Sequence, residues 1–364
     1  MLRKSSFFLL IIVFHYNSAF SSELYGHVTG NSPIIWNNAV PVPSLGGIAA
    51  SYWSIKEPRT TKEWYPGSLS NPQNELVAFT DNETGESFQT LVERKGVEYN
   101  LGSSSSVFKV NTYSDGNVGT GVASICSSPQ IGLNLASISH DGGTCASNSG
   151  YLSIDGRRFT PFKFIRAVIN VPNLVQDIQG RESGRYTAVI DSSPIYFYKS
   201  ETGVLTYLQD YEPIIIQIDY TAAFFTDAKI VLGNGVIHPN YDKVNQSVNG
   251  KTVYRVQVDG LFPDGIKMTF ETSKDYSLIS SVEPLISIPY SILCQNGCTS
   301  SGIIVDNGKF DETTFPGGEV VSDTKSTSES SLFVDFEINY NQLGSELISS
   351  SYSDQFSVIF EANL

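Results

Sequence analysis

The sequence predicts an all-β protein built from two tandem immunoglobulin-like sandwich domains. Three observations carry this. Apolar residues recur at period two in run after run, and no stretch keeps the 3.6-residue period of an amphipathic helix. Phe (21) and Tyr (19) are plentiful while charged residues reach only 16%, which suits pleated, half-buried surfaces. The 364 residues allow two cores, and one stretch has the character of a junction between them. That stretch is YEPIIIQIDYTAAFFTDAKIVL, residues 211–232. Its apolar β-branched run Ile214 to Ile218 is expected to be a strand buried on both faces. Small and polar residues follow (Thr221, Ala222, Ala223, Thr226, Asp227), then a second strand-like piece from Ala228 to Leu232. The expected division is therefore 22–219 for the first domain, 220–227 for a linker and 228–364 for the second.

Ahead of the first domain, Arg3 and Lys4 precede the apolar run Phe7 to Phe14 and the small-x-small sequence Ala19-Phe20-Ser21. This is the pattern of a secretory signal peptide over 1–21, too short in its apolar part to span a membrane. Removing it takes two of the 23 basic residues and leaves 37 acidic against 21. Such a surface repels nucleic acid, so no nucleic-acid partner is expected.

From Ser22 to about Gly67 the chain is dense in proline (Pro33, Pro41, Pro43, Pro58, Pro66). Edge strands and ordered loops are expected there, with no central strand. Trp36, Trp53 and Trp64 lie in this stretch as core anchors or, alternatively, as an aromatic platform. Strands follow at Glu75–Thr80, Ser87–Lys95 and Ser106–Thr112, the first two joined by the turn DNETGE, 81–86. Gly150 to Ile154 is another strand. Asp155-Gly156-Arg157-Arg158 is a tight turn that places two adjacent guanidiniums in solvent. Phe164 begins a strand ended by Pro172, and Leu174, Val175 and Ile178 fit a loop or a single helical turn. Gly184 to Ile190, Pro194 to Tyr198 and Val204 to Leu208 complete the domain.

In the second domain, Thr252, Tyr254, Val256 and Val258 form one face of a strand, and Ile266, Met268 and Phe270 another. Ile286, Ile288, Tyr290 and Ile292 continue the pattern. A polar low-complexity loop, SDTKSTSESS, precedes the alternating run Leu332, Val334, Phe336, Ile338 and Tyr340. The final run alternates Phe356, Val358, Phe360 and Ala362 and has no further strand behind it to cover the core. Six or seven strands in about 135 residues fit the immunoglobulin-like pattern.

Four cysteines allow three pairings. Segregation between domains favours Cys126–Cys145 and Cys294–Cys298 in an oxidising compartment. CQNGC as half of a zinc site would need further ligands, and the secreted chain offers only His27, His140 and His238 besides carboxylates. No metal or cofactor is expected. Neither a G-x-S-x-G elbow, an H-E-x-x-H helix nor a phosphate-binding glycine loop occurs, so the chain is not expected to be an enzyme.

The segment AVINVPNLVQDI…GRESGRYTAVI resembles the strand–Pro–turn and Gly-x-aromatic-x-Ala-x-aliphatic stretch of the CblD-like pilus biogenesis initiators. These are the tip adhesins of colonisation-factor (class 5, alternate chaperone–usher) fimbriae. IIIQIDYTAAFFTDAKIVL resembles that family's last adhesin strand, linker and first pilin strand. Val256-Gln257-Val258-Asp259-Gly260 and the run from Ile286 to Cys294 match in order and spacing. The resemblance covers most of Cys126 to Leu364. It implies an N-terminal receptor-binding domain and a C-terminal pilin domain lacking one strand. A periplasmic chaperone would fill the gap first, the outer-membrane usher would receive the complex, and the major pilin's donor strand would replace the chaperone. The implied location is the pilus tip, reached through the periplasm, with a host-cell glycan or glycoprotein as receptor.

Two departures matter. The family's receptor arginines would follow the strand Tyr186–Ile190, where this chain runs from Asp191 to Ser200 with Lys199 as its one cation. The candidates for receptor contact are therefore Arg157, Arg158 and Lys199, and those for the donor-strand groove are Phe356, Val358 and Phe360. A family cysteine in the strand matching Tyr254–Val258 is Val256 here, which implies Cys298 as its replacement in partnering Cys294. The alternative function is a free-standing secreted carbohydrate-binding protein or a glycan-active β-sandwich enzyme.

Overall fold

The computed structural model describes residues 22–112, 124–299, 302–326 and 328–363, so the expected signal peptide lies outside the described residues. The fold is all-β, with one five-residue helix and short 3₁₀ turns among the described residues. In chain order the strands that matter for the argument are β1 (Ser22–Thr29), β2 (Glu63–Leu69), β3 (Asn74–Asp81), β4 (Ser87–Asn100), β5 (Leu135–Ser139), β6 (Ser149–Ser153) and β7 (Phe164–Asn170). After helix α1 (Leu174–Ile178) come β8 (Gly184–Ser192), β9 (Pro194–Lys199) and β10 (Glu212–Thr221).

The main sheet of this half runs Ile35–Trp36, β1, β10, β8, β3, β4, β7, with Gly47–Ala50 and Ala39–Val42 beyond. β1 is parallel to β10, pairing Ser22 with Ile214 and Thr29 with Thr221, so the start of the described chain lies beside the end of this half. The long strand β4 serves two layers. Its first part pairs with β3; its second part pairs with β5 and β7. Gly96 sits where they meet, and a Cβ there would lie 2.1 Å from the Ile138 carbonyl oxygen, which only glycine avoids. One core, around Phe79, Phe88, Tyr186 and Ile216, is closed by Leu174 and Ile178 of α1. A second fills the space to the other sheet, where Trp64 stacks on Tyr151 at 4.7 Å and packs against Tyr99 and Phe162.

Three expectations change here. β1 is a regular strand because Leu24, Gly26 and Val28 alternate inward, a pattern the nearby prolines obscured. β2 is central and wholly buried despite Pro66. The pairing with β9 shifts register between Pro194 and Tyr196, beside Pro66, and the Pro66 carbonyl still accepts a bond from the Ser147 N–H, so the missing N–H falls at an irregularity. β10 alternates buried and half-buried residues: Ile214, Ile216 and Ile218 face the core, and Ile215 does not. Of the tryptophans only Trp64 is fully buried; Trp53 is half-buried beneath the Arg166 guanidinium, 4.1 Å from the ring centre.

The second half contains β11 (Phe224–Leu232), β12 (Ser247–Leu261), β13 (Ile266–Phe270), β14 (Ser291–Asn296), β15 (Ser330–Leu343) and β16 (Val358–Ala362). Strand therefore occupies most of the expected linker 220–227, leaving only residues 222 and 223 between β10 and β11. One sheet begins β11, β12, β15, β14; another is Glu319–Val321, β13, β16. Their shared core contains Val258, Phe262, Met268, Ile292, Val334 and Phe336. The inward run Leu332, Val334, Phe336, Ile338, Tyr340 is buried throughout, as its alternation predicts. Among the described residues, no sheet and no apolar cluster spans the two halves. A polar contact does: the Asn31 N–H donates to Asp264 Oδ2 at 3.1 Å.

Candidate strand-accepting groove and cationic patch

Two strand edges face a gap in the second half. Among the described residues β11 pairs only with β12, and β16 only with β13, so each has one side without a neighbouring strand. Between them lies a cleft of about 430 Å³ whose walls are Ala228 and Ile230 from β11, and Phe356, Val358 and Phe360. Tyr254, Val256 and Phe336 also line it. The register of β16 on β13 sets one wall: Phe360 lies opposite Met268 and Val358 opposite Phe270. Met268 and Phe270 point into the core, and the same alternation leaves Val358 and Phe360 half-buried at the rim. Ile359, between them, is 60% exposed.

Phe356 stands just before β16, its ring 6.0 Å from Tyr276 and 6.3 Å from Tyr290. Beside it Asp354 accepts from the Tyr290 hydroxyl at 2.7 Å and from Lys274 Nζ at 2.9 Å. Burial, then the hydrogen bond to Asp354, holds the Tyr290 phenol well above the usual tyrosine range; burial also pushes Tyr276 up to about 12. Both therefore stay neutral and act as packing surface with a tethered polar end. Beyond Asp354 the cleft continues into a second recess of about 730 Å³, lined by Tyr241, Val248, Leu278, Ile288, Leu347 and Tyr352 among others.

The three groove residues expected from sequence thus stand together. The β11 wall and the floor residues Val256 and Phe336 were not foreseen as part of the groove. The signal for the β11 wall was the alternation of Ala228 and Ile230, which leaves Ile230 60% exposed; a register shift then sets Leu232 opposite Arg255 and away from the cleft lining.

The cationic candidates occupy the other half, where β6 and β9 flank β2. Arg158 Nη2 donates to the Thr60 carbonyl at 3.0 Å, and the Thr61 hydroxyl donates to the Lys199 carbonyl at 2.9 Å, which places the two cations near one another. Each has a carboxylate. Lys199 Nζ is 2.7 Å from Glu63 Oε2, and Arg158 Nη1 is 3.5 Å from Glu201. Arg157 is the open one: its side chain is 82% exposed, with Asp155 at 3.7 Å. The Arg157 N–H, bonded to Asp155, is the main cause of that carboxyl's lowered pKa. The patch is a row of ion pairs, not a field of one sign.

The disulfides pair Cys126 with Cys145 and Cys294 with Cys298. No group of three or more His, Cys, Asp or Glu able to hold a metal ion occurs among the described residues.

No family model matches the sequence, and no curated protein matches it. Among solved structures, the chain is similar to one described as "Chaperone-tip adhesin complex is vital for synergistic activation of CFA/I fimbriae biogenesis". That match is 10% identical, covers 96% of this chain and 98% of the other, and has a TM-score of 0.28. A second is CfaE, the adhesive subunit of CFA/I fimbria of enterotoxigenic Escherichia coli, 11% identical over 94% of this chain and 98% of that one, TM-score 0.26. A third is the M60 catalytic domain with CBM51-1 and CBM51-2 from Clostridium perfringens ZmpB, 10% identical over 94% and 46%, TM-score 0.12.

Proposed function

We propose that this chain is a fimbrial tip adhesin: a receptor-binding domain over 22–219 followed by a pilin-like domain that takes up a strand from another subunit. The carrying observation is the cleft between β11 and β16, apolar along its walls and bordered by two strand edges. An extended peptide laid there would pair its backbone with both edges and drop alternate side chains between Ile230 and Phe356, Val358 and Phe360. The ordered motifs resembling the pilus initiators support the same reading. A chaperone strand fills the cleft in the periplasm, and the donor strand of a major pilin replaces it at the usher. A subunit led by a binding domain accepts a neighbour and starts the fibre.

Receptor contact falls to the first domain, with Arg157, Arg158 and Lys199 the cations available for an acidic glycan or glycoprotein. Secretion of the chain alone, and of the chain with an apolar strand fused after Leu364 through a flexible linker, tests the groove. The fused chain should be soluble, monomeric and protease-resistant, and the unfused chain should aggregate unless a chaperone is supplied. An unfused chain that folds cooperatively as a soluble monomer overturns the reading and favours the free carbohydrate-binding protein.

A further inference from the structure

At the start of β1 a small buried ion cluster carries more negative charge than positive. Ser22 is 3% exposed, and its hydroxyl donates to Glu212 Oε1 at 2.8 Å; the Ser54 hydroxyl donates to the same oxygen. Glu212 is 1% exposed. Lys56 Nζ lies 2.8 Å from Glu212 Oε2 and 3.1 Å from Asp210 Oδ2, so one ammonium faces two carboxylates. Among the described residues, the buried Glu212 Oε2 has Lys56, which it shares with Asp210, as its charged partner. Glu23, next along β1, adds an exposed negative charge, and the Tyr52 hydroxyl beside it carries none at neutral pH. A buried carboxylate in a cluster with an excess of negative charge is costly unless a further cation reaches it.

One residue can bring that cation. The sequence places signal cleavage after Ser21, which would turn the Ser22 nitrogen into an α-ammonium. The ammonium and hydroxyl of one serine are three bonds apart, and this hydroxyl already touches Glu212. We propose that the α-ammonium created at Ser22 is a structural cation: it completes the cluster of Glu212, Asp210 and Lys56 and locks β1 onto β10. The proposal rests on the secretion reading and is independent of the groove. Closure of the first half is then coupled to processing, because β1 joins the chain start to the strand just before the junction.

The test compares the secreted full chain with one carrying Gly-Ser inserted between Ser21 and Ser22, each start confirmed by intact mass. The readout is amide hydrogen exchange over 22–29 and 212–221. The insertion should speed exchange about tenfold in both segments, and the effect should vanish in a Glu212→Gln background, where there is no charge to pair. The half-exposed Asp210→Asn carries the same comparison if Glu212→Gln does not accumulate, and should shrink the insertion effect. Equal exchange with and without the insertion overturns the proposal. So does an insertion effect undiminished in both charge variants, which would mark a steric cause. A native chain whose mass shows a start other than Ser22 overturns the premise and leaves the groove reading untouched.

Discussion

Phe356→Asp separates a groove that receives a strand from a mere surface crevice. In the open cleft Phe356 is half-buried, touching Tyr276 and Tyr290 at one edge. Replacing it there forfeits part of one aromatic contact set, about 1 kcal/mol, since water still reaches the new carboxylate. Once a strand covers the cleft the same carboxylate would lie under apolar side chains, two residues from Asp354, which already holds Lys274. Burying it then costs about 4 kcal/mol or more, roughly a thousandfold in the strand equilibrium. The assay is urea unfolding of four chains: unfused and strand-fused, each with Phe356 and with Asp. The fused parent should gain several kcal/mol over the unfused one, and the substitution should erase most of that gain while lowering the unfused chain by about 1 kcal/mol. Equal losses in fused and unfused chains would refute the reasoning, because the strand would then be sitting elsewhere.

Three further outcomes follow from the same geometry. Replacing Cys126 and Cys145 by Ser should lower stability by about 3 kcal/mol, and replacing Cys294 and Cys298 by about 2 kcal/mol, because the first pair closes the longer loop; urea midpoints check both. His140 is buried, its Nε2 bonded to the Asn71 carbonyl at 2.8 Å and its Nδ1 without a partner among the described residues; burial chiefly, with Arg94 nearby, lowers its pKa from 6.5. The unfolded chain thus takes up the proton first, so this stability is full above pH of about 6.5 and is lost as pH falls. Thermal midpoints should drop on acidification, and less steeply in His140→Gln. Arg157→Ala, at the most exposed of the three cations, should change stability by less than about 0.5 kcal/mol and weaken binding to receptor-bearing cells; undiminished binding removes Arg157 from the site.

How much of this was legible in the sequence depends on what each residue's neighbours are. Strands that alternate cleanly were readable as they stand: Tyr186–Ile190, Ile266–Phe270 and the run from Leu332 to Tyr340 all show the buried face that period two assigns. The turn at 81–86 was equally plain because local chemistry sets it, whereas the stretch on Leu174 and Ile178, readable as a loop or a helical turn, is a helix whose Asn173 makes no side-chain cap. β2 was not legible, since proline argues against a central strand unless a register shift on the partner absorbs it, and that shift belongs to β9. The pairing of β1 with β10, about 190 residues apart, has no local sign at all. Likewise Arg157, Arg158 and Lys199 were readable as cations, but not the carboxylates of Glu63 and Glu201 that pair with two of them.

The treatment of strand edges argues for the groove independently of its apolar lining. Exposed edges invite pairing with other chains, and proteins usually blunt them by brevity, proline or charge. Several edges of this chain are blunted in that way, though Leu205–Gln209 is not. The main sheet ends at one side in the two-residue strand Ile35–Trp36 and at the other in Ala39–Val42, which carries Pro41. The sheet containing β12 ends, away from β11, in Lys309–Phe310, again two residues long. β11 is the longest of these edges, nine residues without proline; it carries Asp227 and Lys229, yet leaves Ile230 and Leu232 more than half exposed. The facing β16 brings Val358 and Phe360 to the same gap, with only the charge of Glu361 near its far end. Two facing strand edges with apolar side chains stay open beside the cleft, which supports the proposal that they take up an incoming strand.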